Sequence, residues 1–303
     1  MMSGESFAVE APLRFQIGAR TLLSIPRRMV RVAWSLEDVL AARVRVLPPL
    51  GNADGYLVTS VPESVVEAVP TRGFLAHVRQ HYVRRHADLT IGHAAWLAGM
   101  SANARSALRR KTKRLTQGGA LDVRAYRTPE ELAAFYPLAR PLSAATYQER
   151  LLDAGLPDDP VSRAVMDVQG TSDEVRAWLL FHEGAPIAYL WCAADGATLR
   201  YSYVGHDPAF AHLSPGTILH AEAMRQLFDD RFEHFDFTEG DGQHKRQFAT
   251  SGVACVDMTL LRPTLANRFA LAALSAFDAA TAFAKRAAHG GVAKRIADRI
   301  RRA

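Results

Sequence analysis

Cysteine is scarce: Cys192 and Cys255 are the two thiols in 303 residues. Both lie in β-type apolar runs, so they read as buried free thiols of a reducing compartment, and a disulfide framework is not expected. Long apolar runs are missing too. No uncharged apolar stretch reaches the roughly 18 residues that a spanning helix needs. The N-terminal Met-Met-Ser-Gly-Glu carries an acid at Glu5 and no apolar run beside it, so no secretory signal is read there. Tightly spaced histidines are lacking as well. His206, His212 and His220 form no ligand pattern, and no metal is expected. No repeat at a solenoid period occurs.

Acidic residues run short at the C-terminal end. Residues 262–303 hold nine basic residues and two acidic ones, Asp278 and Asp298, a net +7. The whole chain carries +6, which leaves −1 for the remainder. The basic character therefore belongs to the tail, and nucleic-acid binding by the core does not follow from it. The tail is rich in alanine, with Leu265, Phe269, Leu274 and Phe277 near helical spacing. It reads either as an amphipathic helix in weak contact with a membrane surface or as a helix packed on its own domain. The expected location is cytoplasmic, peripheral to the inner membrane if the tail makes that contact. A hydrophobic content of 49% with 22% charged residues is ordinary globular composition, with core enough for one large domain or two medium ones.

Short β-type runs fill the N-terminal third, at Leu13–Ile17, Met29–Ala33 and Tyr56–Val61, and Phe74–Arg85 reads as helical. Ser101 N-caps a helix to Leu115 whose basic residues, Arg105, Arg109, Arg110, Lys111, Lys113 and Arg114, read mainly as a solvated face. Thr128-Pro-Glu-Glu131 is a capping box, and its helix should stop or kink at Pro137 and Pro141. A second helical stretch is expected over Ser143–Ala154. Three strands follow, Val175–His182, Pro186–Ala193 and Thr198–Val204, divided by Glu183-Gly184 and Asp195-Gly196 turns. Ser214 then N-caps a helix reaching about Asp230, Glu233–Thr238 is a parallel return strand, and Val253–Leu261 is the last strand. The pattern is α+β: an antiparallel meander leading into one βαβ crossover.

Two segments carry candidate chemistry. Ser214-Pro-Gly-Thr217 opens a helix with free amides and the positive end of the dipole, and Gly216 lets a phosphate approach the backbone. Its bland reading is an ordinary N-cap. Phe235-Asp-Phe-Thr-Glu-Gly-Asp-Gly-Gln-His-Lys245 empties a strand into a Gly-rich loop holding Glu239, Asp241, His244 and Lys245. Glu239 and Asp241 are candidate general bases, and His244 titrates near neutrality. Lys245 could hold an anionic group. The bland alternative is a solvated turn. Tyr201 and Tyr203 share one strand face by alternation, and aromatic residues in a strand are more often core than catalytic. Asp236 reads as a hydrogen-bonded neighbour rather than a base.

These segments, with Leu57-Val-Thr-Ser-Val-Pro62, Ser106-Ala-Leu-Arg-Arg-Lys111, Ser143-Ala-Ala-Thr-Tyr-Gln148 and Tyr203-Val-Gly-His-Asp-Pro208, resemble the GNAT acyltransferases. The resemblance is closer to the bacterial polysaccharide-biosynthesis (CelD/BcsL-type) acetyltransferase group, relatives of Fem-type peptidoglycan aminoacyltransferases. It covers roughly residues 55–262. It implies a GNAT-like domain over residues 101–262, a β-rich part over 1–100 that could be a degenerate first GNAT-like half, and a basic helical tail over 263–303. It implies acetyl-CoA or another acyl-CoA as co-substrate, bound at Ser214, Gly216 and Thr217 and along Tyr203 and Val204. A small-molecule or glycan-type acceptor would meet Tyr147, Tyr201 and Lys245, with Glu239, Asp241 and His244 handling protons. The usual multi-glycine loop is reduced here to Gly216. Two other readings stay open: an aminoacyltransferase using charged tRNA, with Arg105–Arg114 as its RNA contact, and a non-catalytic scaffold of a polysaccharide-export complex.

Overall fold

The computed structural model describes residues 8–17, 20–146, 149, 155–240 and 242–289. The chain opens with β1 (Ala8–Glu10), β2 (Leu13–Ile17), β3 (Arg20–Ile25), β4 (Arg28–Ala33), α1 (Leu36–Leu40), β5 (Gly55–Pro62) and β6 (Leu75–Asp88). Next come α2 (His93–Gly99), α3 (Ala102–Gln117), β7 (Leu121–Tyr126), α4 (Pro129–Ala144) and α5 (Pro160–Thr171). The remainder is β8 (Val175–His182), β9 (Ala185–Asp195), β10 (Thr198–His206), α6 (Pro215–Leu227), β11 (His234–Asp236), α7 (Gln243–Phe248), β12 (Ser251–Leu261) and α8 (Leu265–His289). Two compact units result, Met1–His81 with Cys255–Ala303, and Tyr82–Ala254. The chain is thus cut after His81 and Ala254, whereas the resemblance implied cuts after residues 100 and 262.

In the first unit β5 lies between β4, to which it is parallel, and β12, to which it is antiparallel, and β1 flanks β4. The β2–β3 hairpin packs on α8 through Leu13, Phe15, Leu271 and Leu274, all buried. Phe15 meets Phe277 edge-on at 5.5 Å.

In the second unit β7, β8, β9 and β10 form an antiparallel meander, β10 and β11 pair in parallel across α6, and β11 pairs antiparallel with the end of β6. Glu183 and Gly184 both take positive φ, 51° and 78°, as a two-residue hairpin turn requires. One face of this ladder is covered by a core that includes Trp96, Leu115, Leu219, Met224 and Phe235. The other is covered by α4 and α5 through Leu132, Phe135, Ala139 and Met166.

Three expectations are corrected. Residues 75–88 form a strand, not a helix over Phe74–Arg85: the backbone of β11 pairs with His86, Ala87 and Asp88, and buried Arg84 finds its carboxylate on Asp236. Tertiary partners here override the local helix propensity of alanine, leucine and arginine. Helix α4 runs through Pro137 and Pro141, so of the two outcomes expected there, a stop or a kink, the stop does not occur. Ala133, Pro137 and Pro141 are all exposed and four residues apart, so the carbonyls that lose N–H partners lie on the water side. Ser143 accordingly belongs to α4, and the rest of the helix expected to Ala154 falls largely outside the described residues. Finally, His244 and Lys245 lie on the short helix α7, not in the loop before it.

Candidate active site

Parallel pairing between β10 and β11 covers only Thr198↔His234, Leu199↔Phe235 and Arg200↔Asp236, while β10 continues to His206. Beyond Arg200 the two strands part, and the β11-facing backbone of β10 is released from the ladder. A β-bulge falls at this point. Tyr201 opposes Cys192 and Tyr203 opposes Trp191, so Ser202 is an extra residue. The bulge breaks the alternation: Tyr201 packs in the core beside α6, and Tyr203 packs in the core beneath α4. The expectation that the two tyrosines share a face is therefore wrong. Gly205 follows where no side chain fits, since a Cβ there would stand 2.5 Å from the Tyr189 ring.

Beside this parting lies a cleft of about 480 Å³, lined by Arg200, Tyr201, Tyr203, Trp191, Thr238 and Glu239 among others. The structure thus gathers Tyr201, Tyr203 and Glu239 around one space. Glu239 is exposed, and its loop is fixed from two sides. Asp236, fully buried, accepts the Thr238 amide at 2.9 Å, and Lys245 Nζ donates to the Glu239 carbonyl. Thr238 and Gly240 both take positive φ, 58° and 89°. Asp236 also binds Arg84, with Nη2–Oδ2 at 2.6 Å and Nε–Oδ1 at 3.1 Å. Burial works against the Arg84 charge, but the Asp236 hydrogen bonds and charge outweigh it and hold the guanidinium above its ordinary value.

At the other end of β10 is the start of α6. Ser214 is not a side-chain cap there. It takes a left-handed conformation, φ 58°, and its carbonyl accepts the amides of Thr217 at 3.0 Å and Ile218 at 3.4 Å. Gly216 lies at the second helical position, ahead of the first regular carbonyl partner. Its Cα faces open space toward the His206 ring, whose Nδ1 would be 3.9 Å from an added Cβ. Lys111 on α3 reaches Thr217 Oγ1 at 3.4 Å, bringing an ammonium to the positive end of the α6 dipole. Sequence reasoning passed over Lys111 and His206. The signal for Lys111 was the basic run on α3, but only folding shows which of its members turns toward α6.

Behind the parting, His220 is buried in an aromatic cluster. Its ring stacks on Tyr201 at 5.2 Å and lies 4.7 Å from Phe248 and 5.4 Å from Phe235 and Phe237. His244 is 5.7 Å from the Tyr201 ring. Burial pushes His220 down to about 3, with His244 adding to the effect. Burial, and then Lys245, also lower His244, so its imidazole is neutral at neutral pH and can accept a proton. A buried neutral histidine has a defined pH signature. Its unfolded form takes up a proton below about 6.5 while the folded form does not, so stability is full above that pH and falls as pH drops toward 3. For His220 the loss between pH 7.5 and 5.5 is about 1.4 kcal/mol. Denaturant titrations at both pH values should show His220→Phe less acid-sensitive than the parent by roughly this amount. Equal sensitivity would mean that His220 is protonated in the fold.

Tyr147 and Asp241 lie outside the described residues.

Residues 102–246 match a family model described as an acetyltransferase (GNAT) domain. Among solved structures, the chain is similar to FemX, at 11% identity over 84% of this chain and 88% of that one, with a TM-score of 0.51. It is also similar to the C-terminal domain of a protein described as a lysylphosphatidylglycerol synthetase from Agrobacterium fabrum. There the identity is 11% over 72% and 71% of the chains, with a TM-score of 0.50. No curated protein matches the sequence. The fold is GNAT-like, and the protein is an acyltransferase enzyme.

Proposed function

We propose that the enzyme moves an acyl group, acetyl in the simplest case, from acyl-CoA to an amine or hydroxyl of a small-molecule or glycan-type acceptor in polysaccharide or cell-envelope biosynthesis. One observation carries the acyl-CoA reading. The parallel strands part after Arg200↔Asp236, and an α6 start with a small residue, Gly216, and a cation, Lys111, stands at the far end of the released strand. An extended thioester fits such a site, its pyrophosphate at the helix start and its pantetheine arm along Tyr203–Gly205. A backbone amide of that segment would hold the oxyanion as the acceptor attacks the carbonyl carbon. Glu239 would take the proton released by the acceptor, directly or through one water, and the thiolate leaves. Tyr201, Tyr203 and Arg200 would shape the acceptor cleft. Lys245, held on the Glu239 carbonyl, would act on the acceptor only through that loop. The parallel β4–α1–β5 arrangement supports reading the first unit as a reduced GNAT-like half.

Gly216→Val should weaken CoA binding about tenfold or more, or roughly 1.4 kcal/mol, because a branched side chain fills the approach to the helix start. Calorimetry on the folded variant decides this, and unchanged affinity would overturn the pyrophosphate assignment. A parent protein that gains no thermal stability from CoA, acetyl-CoA or longer acyl-CoAs would overturn the donor class. A second reading, aminoacyl transfer from charged tRNA, is favoured by one feature: Arg109, Arg110, Lys113 and Arg114 are all exposed on α3. Salt-sensitive retention of tRNA, with no response to acyl-CoA, would select it.

A further inference from the structure

We propose that the outer face of α8 docks on an anionic lipid surface, a role separate from acyl transfer. The inner face of this helix is committed to the core of its own unit, where Ala270, Leu271 and Leu274 are buried. The outer face is apolar nonetheless. Leu265, Phe269 and Phe283 are 75%, 74% and 70% exposed. Exposed Ala272, Ala276 and Ala280 lie between them. At 100° per residue these six positions fall within roughly 80° of arc, a continuous stripe along the helix. Scattered single apolar residues need no explanation, but a stripe that runs nearly the length of a 25-residue helix does.

Charge selects the occupant. Arg268 stands on one flank of the stripe. The acid within α8, Asp278, points the other way, toward His77 at 3.6 Å. Residues 262–303 carry +7 while the rest of the chain carries −1. Two copies meeting through this face would bring like charges together, and the remainder of the chain offers no compensating field. A bilayer with acidic headgroups supplies both halves of the match: an apolar layer for the leucine and phenylalanines, and negative charge for the basic flank. Among the described residues no helix is long and apolar enough to cross a membrane, so the contact is one of lying on the surface.

The test is co-sedimentation of the full chain with vesicles of phosphatidylcholine alone or with about one third phosphatidylglycerol. The parent should pellet with the acidic vesicles, less with neutral ones, and less again at high salt. The triple variant Leu265→Ser, Phe269→Ser, Phe283→Ser removes only exposed side chains. It should keep the parent's unfolding transition while its partition to acidic vesicles falls at least tenfold. Equal partition of variant and parent would overturn the proposal, as would no binding by the parent. Self-association that is abolished by the variant, without vesicle binding, would identify a second copy as the occupant and overturn it as well.

Discussion

Glu239→Gln is expected to lower turnover at least about a hundredfold while leaving donor affinity nearly intact. The substitution is isosteric and the position is exposed, so the fold loses nothing that packing depends on. What is lost is the carboxylate at the mouth of the cleft that Arg200, Tyr201 and Tyr203 line. The loop keeps its shape in the variant, because its fixed points are backbone groups: the Thr238 amide on Asp236 and the Glu239 carbonyl under Lys245. A general base contributes roughly 10²–10⁴-fold to rate. Steady-state kcat, paired with calorimetric donor affinity, gives the readout. His244→Ala should cost less, since that ring is half-buried against Tyr201 rather than open to the cleft. Near-normal turnover in Glu239→Gln, with loss of activity in Asp241→Asn or His244→Ala, would transfer the role to that residue.

The largest effect on stability should come from Asp236→Ala, a loss of about 3–5 kcal/mol. Asp236 is fully buried and Arg84 is 3% exposed. Alanine would take from the buried Arg84 guanidinium the carboxylate it binds through two nitrogens, and would leave the Thr238 amide without its acceptor. Replacing both partners at once with apolar residues should recover a large part of the loss, because the cost lies in a buried charge deprived of its carboxylate more than in the missing bond. Equilibrium unfolding of the parent, the single variant and the double variant measures this. A single variant within 1 kcal/mol of the parent would show that water or a neighbouring group takes over the arginine.

Much of the second unit was legible because its signals are local. The Glu183-Gly184 turn separates β8 from β9, the turn expected at Asp195-Gly196 falls one residue later at Gly196-Ala197, and the Thr128–Glu131 capping box is present with both of its hydrogen bonds. Strand β8 has the limits that its residues suggest. What could not be read depends on partners distant in sequence. β6 looks helical until β11 lies beside it. Helix α4 looks broken at its prolines until their water-facing side is known. In the candidate site, Glu239 stood out by following a strand, while Lys111 was one of six cations on α3 with nothing local to distinguish it. The bulge was invisible for a different reason. Tyr201-Ser-Tyr-Val204 is a flawless alternation on paper, and nothing in those four letters says that one of them is surplus.

That surplus residue separates folding from chemistry. On either side of Ser202 the pairing of β10 with β9 is the pairing of a strand one residue shorter, and each side chain already lies where such a strand would put it. Removing Ser202 would bury the same groups on the same faces and straighten the bend. Selection for a well-packed protein has no use for the extra codon. Under the proposed function, the extra residue serves the space that opens where β10 and β11 separate. On that reading, deleting Ser202 would leave the fold standing and cost the transfer reaction.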